Sequence, residues 1–136
     1  MLGDARFFLD RGLGSRIVPD GLRAASWVVT TMDERYGVKV SQSIDDATWI
    51  RNACREGEVI ITKDRAIAKR PLEAEAIYYS EARVLTIASA QITGPEQLLR
   101  LLENASRIER LVSQRGPWVF AVYADDVRRI RLAYPR

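Results

Sequence analysis

Histidine is absent from all 136 residues, and cysteine occurs once, at Cys54. Without histidine there is no Ser-His-Asp triad, no imidazole acid–base catalysis and almost no zinc or haem ligation. A single thiol makes neither an internal disulfide nor a thiolate metal site. No apolar run approaches the roughly 20 residues of a membrane span. The opening MLGDARFFLD holds only Phe7-Phe8-Leu9 before an acid, so no signal peptide is expected and the chain reads as cytoplasmic, with no membrane partner. Internal repeats, low-complexity tracts and Gly/Ser linkers are missing as well. Lysine is scarce, 18 of the 21 basic residues being arginine, whose fork matches phosphate.

What is present is ordinary globular composition, 47% hydrophobic and 29% charged, in a length that suits a single domain over residues 1–136. The net charge of +3 lies wholly in residues 96–136, because residues 1–95 balance 13 basic against 13 acidic side chains. A mild basic bias of this kind fits a solvated arginine surface as well as it fits nucleic acid. Any catalysis must rest on carboxylates, Lys, Arg, Tyr or a hard metal.

The pattern alternates strands with helices and predicts an α/β fold with a parallel sheet. Arg6–Leu9 reads as a buried strand ending at Asp10, residues 15–25 as a helix interrupted or restarted at Pro19, and Trp27–Thr30 as a β-branched strand. A polar stretch with a turn at Gly37 comes next. Residues 45–56 form a helix capped by Asp45 or Asp46 and stopped by Gly57, with Trp49, Ile50, Ala53 and Cys54 on its apolar stripe. Val59–Thr62 is a strand covered on both faces, 65–70 a short segment broken by Pro71, and Val84–Ile87 a fourth strand. Thr93-Gly-Pro-Glu96 has capping-box spacing, and the apolar residues from Leu98 to Val112 recur at helical spacing. Trp118–Tyr123 and Val127–Leu132 flank Ala-Asp-Asp as a terminal β-hairpin. The core spans about 6–112, with the hairpin at about 117–134 as an appendage.

Ligands of open parallel sheets bind beyond the carboxyl ends of the strands. Asp10 and Asp64 directly follow two strands and Asp46 opens a helix, so right-handed winding can carry all three to one edge. Carboxylates gathered without histidine suit Mg²⁺ or Mn²⁺, and such an ion suits phosphodiester hydrolysis. Each acid also has a plain structural reading: Asp46 as an N-cap, Asp64 as a turn residue, Asp10 as a cap on the helix after it. Both readings stand at this point. Cys54 and the three tryptophans, Trp27, Trp49 and Trp118, read as core.

The segment DATWIRNACREGEVIITKDRAI, residues 46–67, resembles that of PIN-domain ribonucleases. An acid (Asp46) opens a helix, Gly57 ends it, an apolar strand follows at Val59–Ile61, and Thr62-Lys63-Asp64 closes it. FFLDRGLGSRIVPDGLRAA, residues 7–25, is similar to the family's first strand with its terminal Asp. The likeness covers about residues 6–90 and is nearest to VapC-type toxins of toxin–antitoxin pairs. It implies a PIN-like three-layer αβα fold with a mainly parallel central sheet, plus a C-terminal helix and the hairpin. The implied activity is metal-dependent endoribonuclease, with Asp10, Asp46 and Asp64 holding Mg²⁺ or Mn²⁺ and Asp64 orienting the attacking water. The implied partners are an RNA substrate and a cognate antitoxin, with a homodimer as a further option.

Two positions depart from the family pattern. A further acid is usual between the Asp10 and Asp46 positions, and here the candidates are Asp33, Glu34 and Asp45. Many members carry another acid two residues past Asp64, where this chain has Ala66. That second departure keeps open a catalytically inactive PIN-like RNA- or protein-binding module, and a receiver-type regulatory domain is the remaining alternative. Candidate RNA contacts are Arg11, Thr62, Lys63 and Arg65 around the acids. In the last strand they are Arg129 and Arg131, beside Arg128, Tyr123 and Tyr134, where arginines and aromatics interleave.

Overall fold

The computed structural model describes residues 2–88 and 91–135. Strands β1 (Arg6–Leu9), β2 (Val28–Thr31), β3 (Val59–Thr62), β4 (Arg83–Ile87), β5 (Trp118–Val122) and β6 (Val127–Ile130) form one sheet in the order β2-β1-β3-β4-β5-β6. Every neighbouring pair is parallel except β5 with β6. Phe7, Phe8 and Leu9 of β1 and Val59, Ile60 and Ile61 of β3 are wholly buried, as continuous apolar strands become when both faces are covered. Phe7, Leu9 and Ile61 pack against α1 (Ile17–Ala24), α5 (Gly94–Glu103) and α6 (Ala105–Val112). On the other face Phe8 and Ile60 meet Met32 of α2 (Met32–Ser41), Trp49 and Ile50 of α3 (Asp46–Arg55), and Ile77 of α4 (Pro71–Ser80). The result is the three-layer αβα arrangement expected.

Several local expectations change. The polar stretch after β2 is a helix, α2, because Thr31 and Glu34 form a reciprocal capping box; it is broken at Gly37, whose φ of 79° few residues other than glycine adopt. Pro71 does not end structure but begins α4, since a first-turn residue has no helical use for its N–H. Pro19 likewise lies within the first turn of α1, so that helix is not interrupted there. The long C-terminal helix divides at Asn104, a buried residue whose side-chain amide donates to the carbonyls of Arg100 and Tyr123 (2.8 and 2.9 Å).

The hairpin is not an appendage. β5 runs parallel to β4 from Arg83↔Trp118 to Ile87↔Val122, and Trp118, Val119, Ala121 and Val122 are buried. A strand apolar on both faces has to be covered on both, so it completes the central sheet and leaves β6 as the edge. Among the described residues no helix is long and apolar enough to cross a membrane.

Chain order places the crevice. After β1 the chain moves to one side to make β2, then crosses back to the other side of β1 as β3. Connections therefore diverge between β1 and β3, the switch point where open α/β sheets bind ligands. Pairing there continues past the strands, Asp10 N–H donating to the Ile61 carbonyl at 3.0 Å.

Candidate active site

Thr62, the last residue of β3, is fully buried and ties the two strand ends together. Its hydroxyl donates to Asp10 Oδ2 at 2.7 Å and accepts from the Asp64 N–H at 3.1 Å. Thr62 was expected among the RNA contacts; with its hydroxyl committed twice and no exposed surface, it positions the acids instead. Asp64 caps the 3₁₀ turn at Arg65–Ala68, its Oδ1 accepting from the Ala66 N–H at 3.0 Å. Asp46, in the first turn of α3, accepts from Trp49 Nε1 at 2.8 Å. That bond joins a site carboxylate to the helix's buried tryptophan.

The sequence reading missed one residue here, Arg70. Its guanidinium donates to Asp64 Oδ2 at 2.6 Å and Oδ1 at 3.4 Å, to Asp46 Oδ2 at 3.3 Å, and through Nε to Glu73 Oε1 at 3.0 Å. Asp46 and Asp64, 18 residues apart in sequence, thus share one cation. The neighbouring carboxylates hold the Arg70 guanidinium above its ordinary pKa, chiefly through the hydrogen bonds to Asp64. The only sequence signal lay in Arg70-Pro71-x-Glu73, an arginine at a helix start with an acid in the first turn.

Asp10 sits deeper. Burial raises its carboxyl above the ordinary value, the Thr62 hydrogen bond opposes this, and the negative charge of Asp46 raises it further. The charge of Asp46 therefore reaches the Asp10 carboxyl, while Asp46 and Asp64 share Arg70. Among the described residues, however, no three Asp, Glu or Cys side chains are gathered closely enough to enclose an ion. The donor chemistry, carboxylates plus a hydroxyl and no nitrogen or sulfur, fits a hard divalent cation. Asp10, Asp46 and Asp64 are the carboxylates here that could hold such an ion, and Arg70 now supplies the positive charge beside Asp46 and Asp64.

The other candidates separate. Asp45 is the N-cap of α3 and gives both oxygens to Thr48 (3.1 Å to N–H, 2.7 Å to Oγ1). Asp33 accepts from the Ser41 hydroxyl, and Glu34 closes the α2 capping box while paired with Arg23 at 2.6 Å. Each of these acids is thus engaged in capping or holding α2 or α3. Arg11 lies beside Asp10 and donates to the Ser41 carbonyl at 2.7 Å, and the Lys63 side chain lies over Gly12 in the turn after β1. Arg65 is exposed next to Asp64. Arg129 stacks on Phe120 at 5.5 Å, on the α5–α6 side of β6, and Arg131 follows the end of that strand.

Residues 5–89 match the family model described as "PIN like domain". The chain is also 30% identical over 123 residues to a protein named "Putative ribonuclease VapC45" from Mycobacterium tuberculosis (strain ATCC 25618 / H37Rv), covering 90% of this chain and 89% of that one. No solved structure matches it.

Proposed function

Since the chain belongs to the PIN-like domain family, we propose that it is a metal-dependent endoribonuclease whose site is the crevice between the carboxyl ends of β1 and β3. The observation that carries this reading is the meeting of Asp46 and Asp64 on one guanidinium, with Asp10 joined to Asp64 through the Thr62 hydroxyl. Asp10, Asp46 and Asp64 would hold Mg²⁺ or Mn²⁺. Such an ion lowers the pKa of a bound water and neutralises charge developing on a phosphoryl oxygen. Thr62 fixes Asp10 and the backbone of Asp64 in one hydrogen-bonded unit, so two of the three acids are held in place before substrate arrives. Asp64, the more exposed of these two, orients the attacking water. Arg11, Lys63 and Arg65, which surround the acids, meet phosphates of the RNA. The relative's name supports a toxin role, in which a cognate antitoxin covers the acidic crevice.

A second reading has one observation in its favour. Arg70 already neutralises Asp46 and Asp64, as a domain that binds RNA without cutting it could retain. Asp64→Asn separates the two. The substitution keeps shape and hydrogen-bonding reach but removes a charge from the ligand set. RNA cleavage followed across a Mg²⁺ and Mn²⁺ titration is expected to fall on the order of 10²-fold or more, with RNA binding retained or tightened. Cleavage at the parent's rate would make Asp64 structural and remove it from the ligand set, whereas a parent that binds RNA but cleaves none across the titration would end the ribonuclease reading. Expression alone should arrest growth, and co-expression of the neighbouring small reading frame should relieve the arrest.

A further inference from the structure

Beside the carboxylates, the 3₁₀ turn Arg65–Ala68 and strand β6 enclose a groove of about 320 Å³ lined by Arg65, Ala66, Lys69 and Ile130. We propose that this groove holds the single-stranded RNA flank running away from the cleavage site, with Arg65 and Lys69 on its phosphates. The proposal rests on the ribonuclease reading for where the cut falls, and names the path of the substrate beyond it.

Three observations support the proposal. Arg65 and Lys69 are exposed, and neither has an ion-pair partner among the described residues, whereas Arg70 beside them is bonded to three carboxylates. Their charge is therefore free for a ligand. No carboxylate lines the groove: the side chain between the two cations on the turn is the methyl of Ala66. The wall also begins at the site itself, because the Ala66 N–H is bonded to Asp64. A polyanion drawn toward three acids needs unpaired positive charge within a residue or two of them, and the groove supplies it. At the edge of the sheet, Arg128 shares Ile130's face of β6 but is paired with Asp126 at 2.9 Å, so the free charge of the groove is that of Arg65 and Lys69. A cationic groove that follows the backbone is how proteins track single strands without reading sequence. Arg129 is on the opposite face and takes no part.

The test uses the full chain carrying Asp64→Asn, so that the probe survives, and a fluorescein-labelled 12-nucleotide oligouridylate read by fluorescence anisotropy across a salt series. Arg65→Ala with Lys69→Ala is expected to weaken binding about tenfold and to make the log–log salt slope shallower by about 1.4, near 0.7 for each lost contact. Ala66→Glu removes no contact but puts an acid on the wall, in the first turn of a short helix where acids are tolerated; it is expected to weaken binding comparably. Arg129→Ala with Arg131→Ala should stay within about twofold of the parent. Parent-like binding by both groove variants overturns the proposal. So does unchanged oligouridylate binding with loss of the purified antitoxin, which would make the groove a protein surface. If the groove variants lose RNA while the protein with Asp64 intact never cleaves it, the groove stands and the ribonuclease reading falls.

Discussion

Arg70 holds Asp46, Asp64 and Glu73 through one guanidinium, and that arrangement has a measurable consequence. Arg70→Ala leaves two carboxylates facing each other without a cation, so in EDTA the variant should melt below the parent. Added Mn²⁺ meets no competitor there. Affinity about tenfold tighter corresponds to about 1.4 kcal/mol of extra linkage at saturation, or roughly 4 °C in a thermal shift. A Mn²⁺-induced rise no larger than the parent's would show that Arg70 and the ion do not compete. Cys54 answers a different residue-scale question. It was expected in the core but is half-buried at the edge of the α2–α4 layer, where burial pushes the thiol from 9.0 up to about 11. It should stay protonated at pH 8 and react far more slowly with a thiol reagent in the native protein than in urea. The folded value lies above the unfolded one, so the thiol's contribution to stability is full below about pH 9 and fades as pH approaches 11. Asp10, Asp46 and Asp64 were legible as candidates because each stands at an element boundary. Arg70 was not, because proline beside it read as punctuation and its partners lie 6 and 24 residues away.

Among the elements, the junction of α4 with β5 is the tightest. A Cβ added at Gly116 would lie 2.0 Å from the Glu81 carbonyl oxygen and 2.8 Å from that of Ala82, both backbone atoms that cannot swing aside. Gly116→Ala should therefore cost about 1–3 kcal/mol by forcing backbone apart, seen as a lower urea midpoint with the m value unchanged. A midpoint equal to the parent's would mean that the loop shifts freely. The same junction shows why the hairpin's place was misjudged. Tyr123 and Val127 flank Ala-Asp-Asp, so antiparallel pairing between β5 and β6 was readable locally. The parallel pairing of β5 with β4 joins residues about 35 apart, and no local pattern reports such a partner. Helix α2 was hidden for the opposite reason: its capping box, Thr31 with Glu34, was written in the sequence, but its polar composition outweighed that signal.

For the whole molecule, connectivity decides where chemistry can happen. β2 and β3 flank β1 on opposite sides, so Asp10 and Asp64 leave adjacent strand ends while the helix opened by Asp46 covers one face. The sheet also sorts the arginines of β6, Arg128 onto the face of Ile130 and Arg129 onto the opposite one, because strand side chains alternate between faces. By itself the sequence determined the α/β class, the strands β1 to β5 to within a residue, the absence of imidazole and thiolate chemistry, and the three acids at element ends. These come from composition, periodicity and capping, which act over a few residues. Only the tertiary structure decided that Thr62 is a buried tie, that Arg70 sits between Asp46 and Asp64, and that β5 belongs to the central sheet. Each of those depends on groups brought together across the sheet or between layers. Hydrogen bonds and ion pairs form between whichever side chains packing sets within about 3 Å, whatever their separation along the chain.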